Sequence, residues 1–170
     1  MNRAEMTEIF AVLMVAYPNA EMFRAESQQA LKERLAPTIT LWTTCLQDID
    51  FWTAQKAVIR VCKTCKFPPT IAEMREAADG VSEEVRLEIE SACMKARNAL
   101  RWLQDGESEE EAIKRLPART QKTIEAMGGI RAFSPPDKPM FNFDGFRQTY
   151  ERLLRSNPVG LPGGERKKLT

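Results

Sequence analysis

With 170 residues, 43% of them hydrophobic and 29% charged, the chain has the size and composition of one ordinary globular domain or two small modules. No apolar run approaches the roughly 18–20 residues that cross a bilayer, so the chain does not read as a membrane protein. Residues 1–80 hold 9 Lys/Arg and 10 Asp/Glu, residues 81–133 again 9 and 10, and residues 134–170 hold 7 and 4. That balance argues against an extended duplex-DNA surface as the main function, since phosphate neutralisation needs a strong basic excess.

Helical periodicity begins near Thr7, where Ile9, Phe10, Val12, Leu13 and Tyr17 recur at three- and four-residue spacing until Pro18-Asn19. Good helix formers from Ala20 to Leu35 predict a second helix, which Pro37 ends or separates from the next. A third, short helix over Thr38–Ile49 carries Leu41, Trp42, Cys45 and Leu46, with Asp48 and Asp50 placed to cap its successor. A fourth runs from Phe51 to about Cys65 and must stop before Pro68-Pro69.

Thr70-Ile71-Ala72-Glu73 has the form of a capping box and opens a fifth helix that Gly80 closes. Ser82 then starts a long charged helix to about Leu103, with Val85, Ile89, Cys93, Ala96 and Leu100 on its apolar stripe. A second capping box at Ser108–Glu111, Pro117 at a helix start and Gly128-Gly129 as a stop mark two further short helices. Ser134–Pro139 reads as a linker, Asn142 or Asp144 caps a final amphipathic helix, and the Pro- and Gly-containing tail from Ser156 lacks core-forming residues.

The expected fold is therefore all-α: a helical domain over residues 1–80, a helical middle region over 81–133, a linker and C-terminal helix over 134–155, and a disordered basic tail over 156–170. Trp42, Leu46, Trp52, Val58, Phe67, Ile71 and Met74 lie on the apolar sides of their segments and form the expected N-terminal core.

Residue types that carry catalysis are scarce. There is no histidine, which removes Ser-His-Asp and Cys-His arrangements, and no Gly-x-x-x-x-Gly-Lys-Ser/Thr phosphate loop. The runs Glu83-Glu84 and Glu109-Glu110-Glu111 sit at helix starts, where they complement the helix dipole. Cys62 and Cys65 form a lone Cys-x-x-Cys. A zinc site would require Cys45 and Cys93 to converge on it, and reduced cysteines in or near a helical core are the simpler reading. No enzyme activity, cofactor or metal is expected.

One ordered set of motifs rises above a generic helical domain: Tyr17-Pro18-Asn19, then Trp42 and Leu46, then Asp48-Ile49-Asp50-Phe51, and last Phe67-Pro68-Pro69-Thr70-Ile71-Ala72-Glu73-Met74-Arg75. The set resembles the N-terminal domain of the phage replicative-helicase loader/inhibitor family, with its Tyr-Pro turn, its Trp-x-x-x-Leu helix and its Phe-Pro-Pro-[Ser/Thr]-Ile-Ala-Glu segment. The run from Glu21 to Pro37 is longer than that family's usual connection. Leu116-Pro117, Gly128-Gly129 and the closing Phe146-x-x-x-Tyr150 helix are similar to the C-terminal region of related phage replication proteins.

The resemblance implies a cytoplasmic adaptor that binds a ring-shaped replicative DNA helicase of phage or host, restrains it and delivers it to an origin-bound initiator. It further implies that the C-terminal part engages the helicase, which makes Phe146, Arg147, Tyr150, Arg152, Leu154 and Arg155 the candidate partner-binding residues. Helical patterning alone would assign Phe146, Tyr150 and Leu154 to a core. Likewise Phe67–Thr70 is by itself a structural device, an extended entry into a capped helix. The competing function is direct nucleic-acid binding, through Lys63, Lys66, Arg147, Arg152, Arg155, Arg166, Lys167 and Lys168 gathered into one basic strip. On the adaptor reading, direct DNA binding is weak or absent.

Overall fold

Capping groups decide where most helices start. In the computed structural model, which describes residues 1–133 and 141–156, the Asn2 side chain accepts from the Glu5 amide at 2.9 Å while the Glu5 carboxylate accepts from the Asn2 amide at 2.8 Å. This reciprocal box satisfies two of the amides that a helix start leaves open, and α1 (Arg3–Ala16) follows. Asp50 caps α3 (Phe51–Thr64) by accepting from both the amide and the hydroxyl of Thr53. Thr70 and Glu73 close their box at the start of α4 (Ile71–Gln104).

Two expected breaks are absent. A short 3-10 turn over Glu21–Phe23 takes the place of the second helix's start, and α2 (Gln28–Cys45) then runs through Pro37. Ser27 caps it, accepting from the Ala30 amide at 3.1 Å. Proline removes the bond to the Glu33 carbonyl, but Pro37 lies on the exposed side, where water can serve that oxygen. The buried stripe Leu35, Ile39, Trp42 and Leu46 continues in phase across it, and burial of that stripe holds the helix together.

Gly80 does not end a helix either. Met74, Ala78 and Val81 are buried before and after it, and α4 passes through. Ser82 is accordingly no cap; its hydroxyl donates back to the Ala78 carbonyl at 3.0 Å, as serines inside helices do. Gly80 has a packing reason to lack a side chain, because a Cβ there would lie 2.9 Å from the Arg60 guanidinium.

The second half of the chain adds α5 (Glu109–Lys114), α6 (Ala118–Ala126), a 3-10 turn over Ile130–Phe133, and α7 (Phe143–Ser156). After α6 the chain must take positive φ at Gly128 and Gly129, 92° and 101°, a region costly for any residue with a Cβ. This turn lets the Ile130 amide donate to the Glu109 carboxylate at 3.1 Å, while Glu110 pairs with Lys114 and Glu111 with Ser108. Each of the three acidic residues at the start of α5 thus has a local partner.

All regular structure among the described residues is helical, with no strand. The chain divides into two compact units that part between Glu83 and Glu84, so α4 contributes to both. The core of the first is built on Met6, Ile9, Phe10, Leu13, Trp42, Leu46, Val58 and Met74. That of the second is built on Ile89, Ala96, Ile124, Ile130, Phe146 and Tyr150, with α7 packed on α6.

Of the expected N-terminal core, Trp42, Leu46, Val58 and Met74 are buried, and Ile71 packs half-buried against them. Trp52 is half-buried, with the Lys56 ammonium 4.8 Å from its ring centroid. Phe67 is 72% exposed and is not a core residue. The place expected for it is taken by Pro69, which directly precedes the Thr70 cap and is buried, as is Met74 four positions into the helix. The expected linker over 134–139 and the tail from residue 157, including Arg166, Lys167 and Lys168, lie outside the described residues.

Candidate functional site

In the first unit the segment between α3 and α4 is pinned at both ends. The Cys65 amide donates to the Val61 carbonyl at 2.8 Å and so finishes α3, and the Cys65 carbonyl accepts from the Tyr17 hydroxyl at 3.1 Å. At the other end the Thr70 amide and hydroxyl both donate to Glu73, at 2.7 and 2.8 Å. These bonds hold the Glu73 carboxyl below the usual carboxylate range. Between the pins, Lys66 and Phe67 face solvent, with the Lys66 ammonium 5.8 Å from the Phe67 ring centroid.

Behind this segment, Arg75 grips Asp48 with both terminal nitrogens, at 3.0 and 2.6 Å, and also donates to the Cys45 carbonyl. It thereby satisfies an open carbonyl at the end of α2 and fixes the turn into α3. The Arg75 guanidinium holds the Asp48 carboxyl below its ordinary range.

Tyr17 is the most perturbed phenol. Burial, reinforced by Cys62 and Cys65, pushes it from the ordinary 10.0 up to about 12. A phenol whose folded-state value is raised favours the neutral form, so its contribution to stability is complete below pH 10 and is lost as pH rises towards 12. Stability measured from about pH 9.5 upward is expected to fall across that window in the wild type. In Tyr17→Phe the part due to this phenol should be missing, and identical pH profiles for the two proteins would contradict the assignment.

In the second unit, α7 is oriented by its cap and its stripe. The Asn142 side chain accepts from the Gly145 amide at 2.9 Å, which makes Asn142 rather than Asp144 the cap. Phe146, Tyr150 and Leu154 are then all buried, with Phe146 and Tyr150 stacked at 5.8 Å between centroids. The Tyr150 hydroxyl donates to Glu88 of α4 at 3.0 Å, and Arg119 of α6 bonds the same carboxylate oxygen. Arg147, Arg152 and Arg155 lie on the exposed side of α7, Arg155 bonded to Glu151 one turn earlier.

The six candidate residues therefore separate by direction: three apolar or aromatic side chains turn inward and three arginines turn outward. Of the proposed basic strip, Lys63 and Lys66 belong to the first unit and Arg147, Arg152 and Arg155 to the second.

Cys45, Cys62 and Cys65 are half-buried around the first core and Cys93 is buried in the second; all four are free thiols. Burial pushes the Cys62 and Cys93 thiols up, away from the thiolate form that reacts or ligates. Among the described residues no three Cys, Asp or Glu side chains are grouped to hold a metal ion. No helix among them is long and apolar enough to cross a membrane.

A small helical domain with capped helix ends and a pinned, surface-presented Phe-Pro-Pro segment places the first unit in the phage helicase loader/inhibitor class. Residues 1–75 match the family model for the N-terminal domain of the phage helicase loader/inhibitor protein, and this part of the chain belongs to that family. No curated protein and no solved structure gives a significant match.

Proposed function

We propose that the chain is a phage or prophage DNA-replication adaptor of the cytoplasm that binds a replicative hexameric helicase, restrains its ATPase and strand binding, and helps deliver it to an origin-bound initiator. The observation that carries this reading is the match of residues 1–75 to the loader/inhibitor family, borne on an all-helical first unit. Specific contacts to DNA play little part in it. The chain acts through its partner and performs no hydrolysis of its own.

The test is to mix the purified chain with purified phage or host replicative helicase and follow co-elution and ATP turnover. A stable complex with reduced turnover is the expected result; a helicase that neither co-elutes nor slows would refute the proposal.

The second unit contributes through the outer side of α7. Phe146, Tyr150 and Leu154 seat the helix, and Arg147, Arg152 and Arg155 face the partner, where arginine contributes strongly to interface energies. Replacing Arg147 and Arg152 together by glutamate is expected to weaken capture about tenfold or more, which corresponds to about 1.4 kcal/mol. Because both residues are exposed, the melting temperature should stay near that of the wild type. Undiminished affinity in the double variant would move the partner surface away from α7.

A further inference from the structure

Phe67 is an apolar ring left 72% exposed at the edge of the first core. Its exposure is built in. The chain before it is tied by the Cys65 amide to α3 and by the Cys65 carbonyl to Tyr17, and the chain after it passes through Pro68 and the buried Pro69 into the Thr70–Glu73 box. Proline fixes φ at two consecutive positions, so the ring is offered with little backbone freedom left to lose on binding.

The charge around the ring has one sign. Lys66 reaches over it, Lys63 is exposed in the last turn of α3, and the Glu73 carboxylate is committed to the helix cap. A fixed aromatic with a cationic rim suits one of two partners: a protein pocket that is apolar inside and acidic at its edge, or a stacked nucleobase. Strand binding by stacking also needs a basic track for the phosphates, and residues 1–80 hold 9 Lys/Arg against 10 Asp/Glu. The balance favours protein.

We infer that Phe67, flanked by Lys63 and Lys66, is an anchor that inserts into an apolar, carboxylate-rimmed pocket on a protein partner. Resting on the function proposed above, that partner is the helicase ring.

The experiment uses the full chain as wild type, Phe67→Ala, Phe67→Leu and the Lys63→Glu/Lys66→Glu pair. Affinity for the helicase hexamer is measured at low and moderate salt, with thermal melting recorded for each variant. Phe67→Ala should lose about tenfold or more in affinity with unchanged melting, and Phe67→Leu should retain part of it. The lysine pair should bind more weakly and with a flatter salt dependence. Wild-type affinity in Phe67→Ala would overturn the anchor while leaving the adaptor reading intact. A lowered melting temperature in that variant would overturn it too, by returning the ring to the core. If the wild type does not bind the helicase at all, the adaptor reading fails first and the partner named here falls with it. Binding of a labelled oligothymidylate that Phe67→Ala abolishes would assign the ring to nucleobase stacking instead.

Discussion

Trp42→Ala is expected to destabilise the first unit by about 3–5 kcal/mol, the usual cost of removing a large buried aromatic. Trp42 is 6% exposed in the middle of the α2 stripe and meets Phe10 of α1 edge to face, with ring centroids 5.2 Å apart and planes at 75°. Alanine would leave a cavity between two helices that the rest of a small core cannot collapse to fill. Since whole domains are stable by only about 5–15 kcal/mol, a loss of this size takes much of the margin. Leu41, the preceding residue, is 56% exposed, and Leu41→Ala should be close to neutral. Denaturant melts of the two variants check this directly: equal midpoints for both would show that Trp42 does not pack as described.

A comparable loss, about 3–5 kcal/mol, is expected for Phe146→Ala, this time in the second unit. Phe146 has no exposed surface and lies at the centre of an aromatic row, stacked on Tyr150 and tilted 6.0 Å from Phe141. Its removal unseats α7 and opens the core around Ile124 and Ile130. Amide hydrogen exchange should accelerate through α6 and α7, whereas α1, α2 and α3 should keep their wild-type protection. Unchanged protection in α6 would mean that α7 contributes little to this core.

The contrast between these residues and Phe67 shows what the sequence revealed and what it hid. Caps were legible because their chemistry is local: Asp50, Thr70, Ser108 and Asn142 each satisfy an amide two or three residues away, whatever the rest of the fold does. Pro37 and Gly80 were misleading for the complementary reason. Their backbone cost is local, but the burial that outweighs it comes from Ile39, Trp42, Val81 and Ile89 further along the same stripes. The phase of those stripes across the proline and the glycine was the available signal.

Phe67 was hidden because its apolar character suggested a core residue. Position relative to the cap was the better guide: it is Pro69, not Phe67, that stands directly before Thr70. On α7 the periodicity located Phe146, Tyr150 and Leu154 on one face without saying what that face meets. The bond from Tyr150 to Glu88, a residue 62 positions away, shows that it faces its own unit. No spacing rule reaches across that distance.

That bond belongs to a three-way junction. One oxygen of Glu88 accepts from both Arg119 and Tyr150, so α4, α6 and α7 meet on a single atom, with the Arg119 guanidinium also 6.0 Å from the Tyr150 ring centroid. A change at one of the three residues leaves the other two facing a missing charge or an unanswered hydroxyl, and their energies do not add independently. Over evolutionary time these positions are bound into one inheritable unit. The helix surfaces around them are free to drift with each new partner, but the junction must be exchanged as a set or kept.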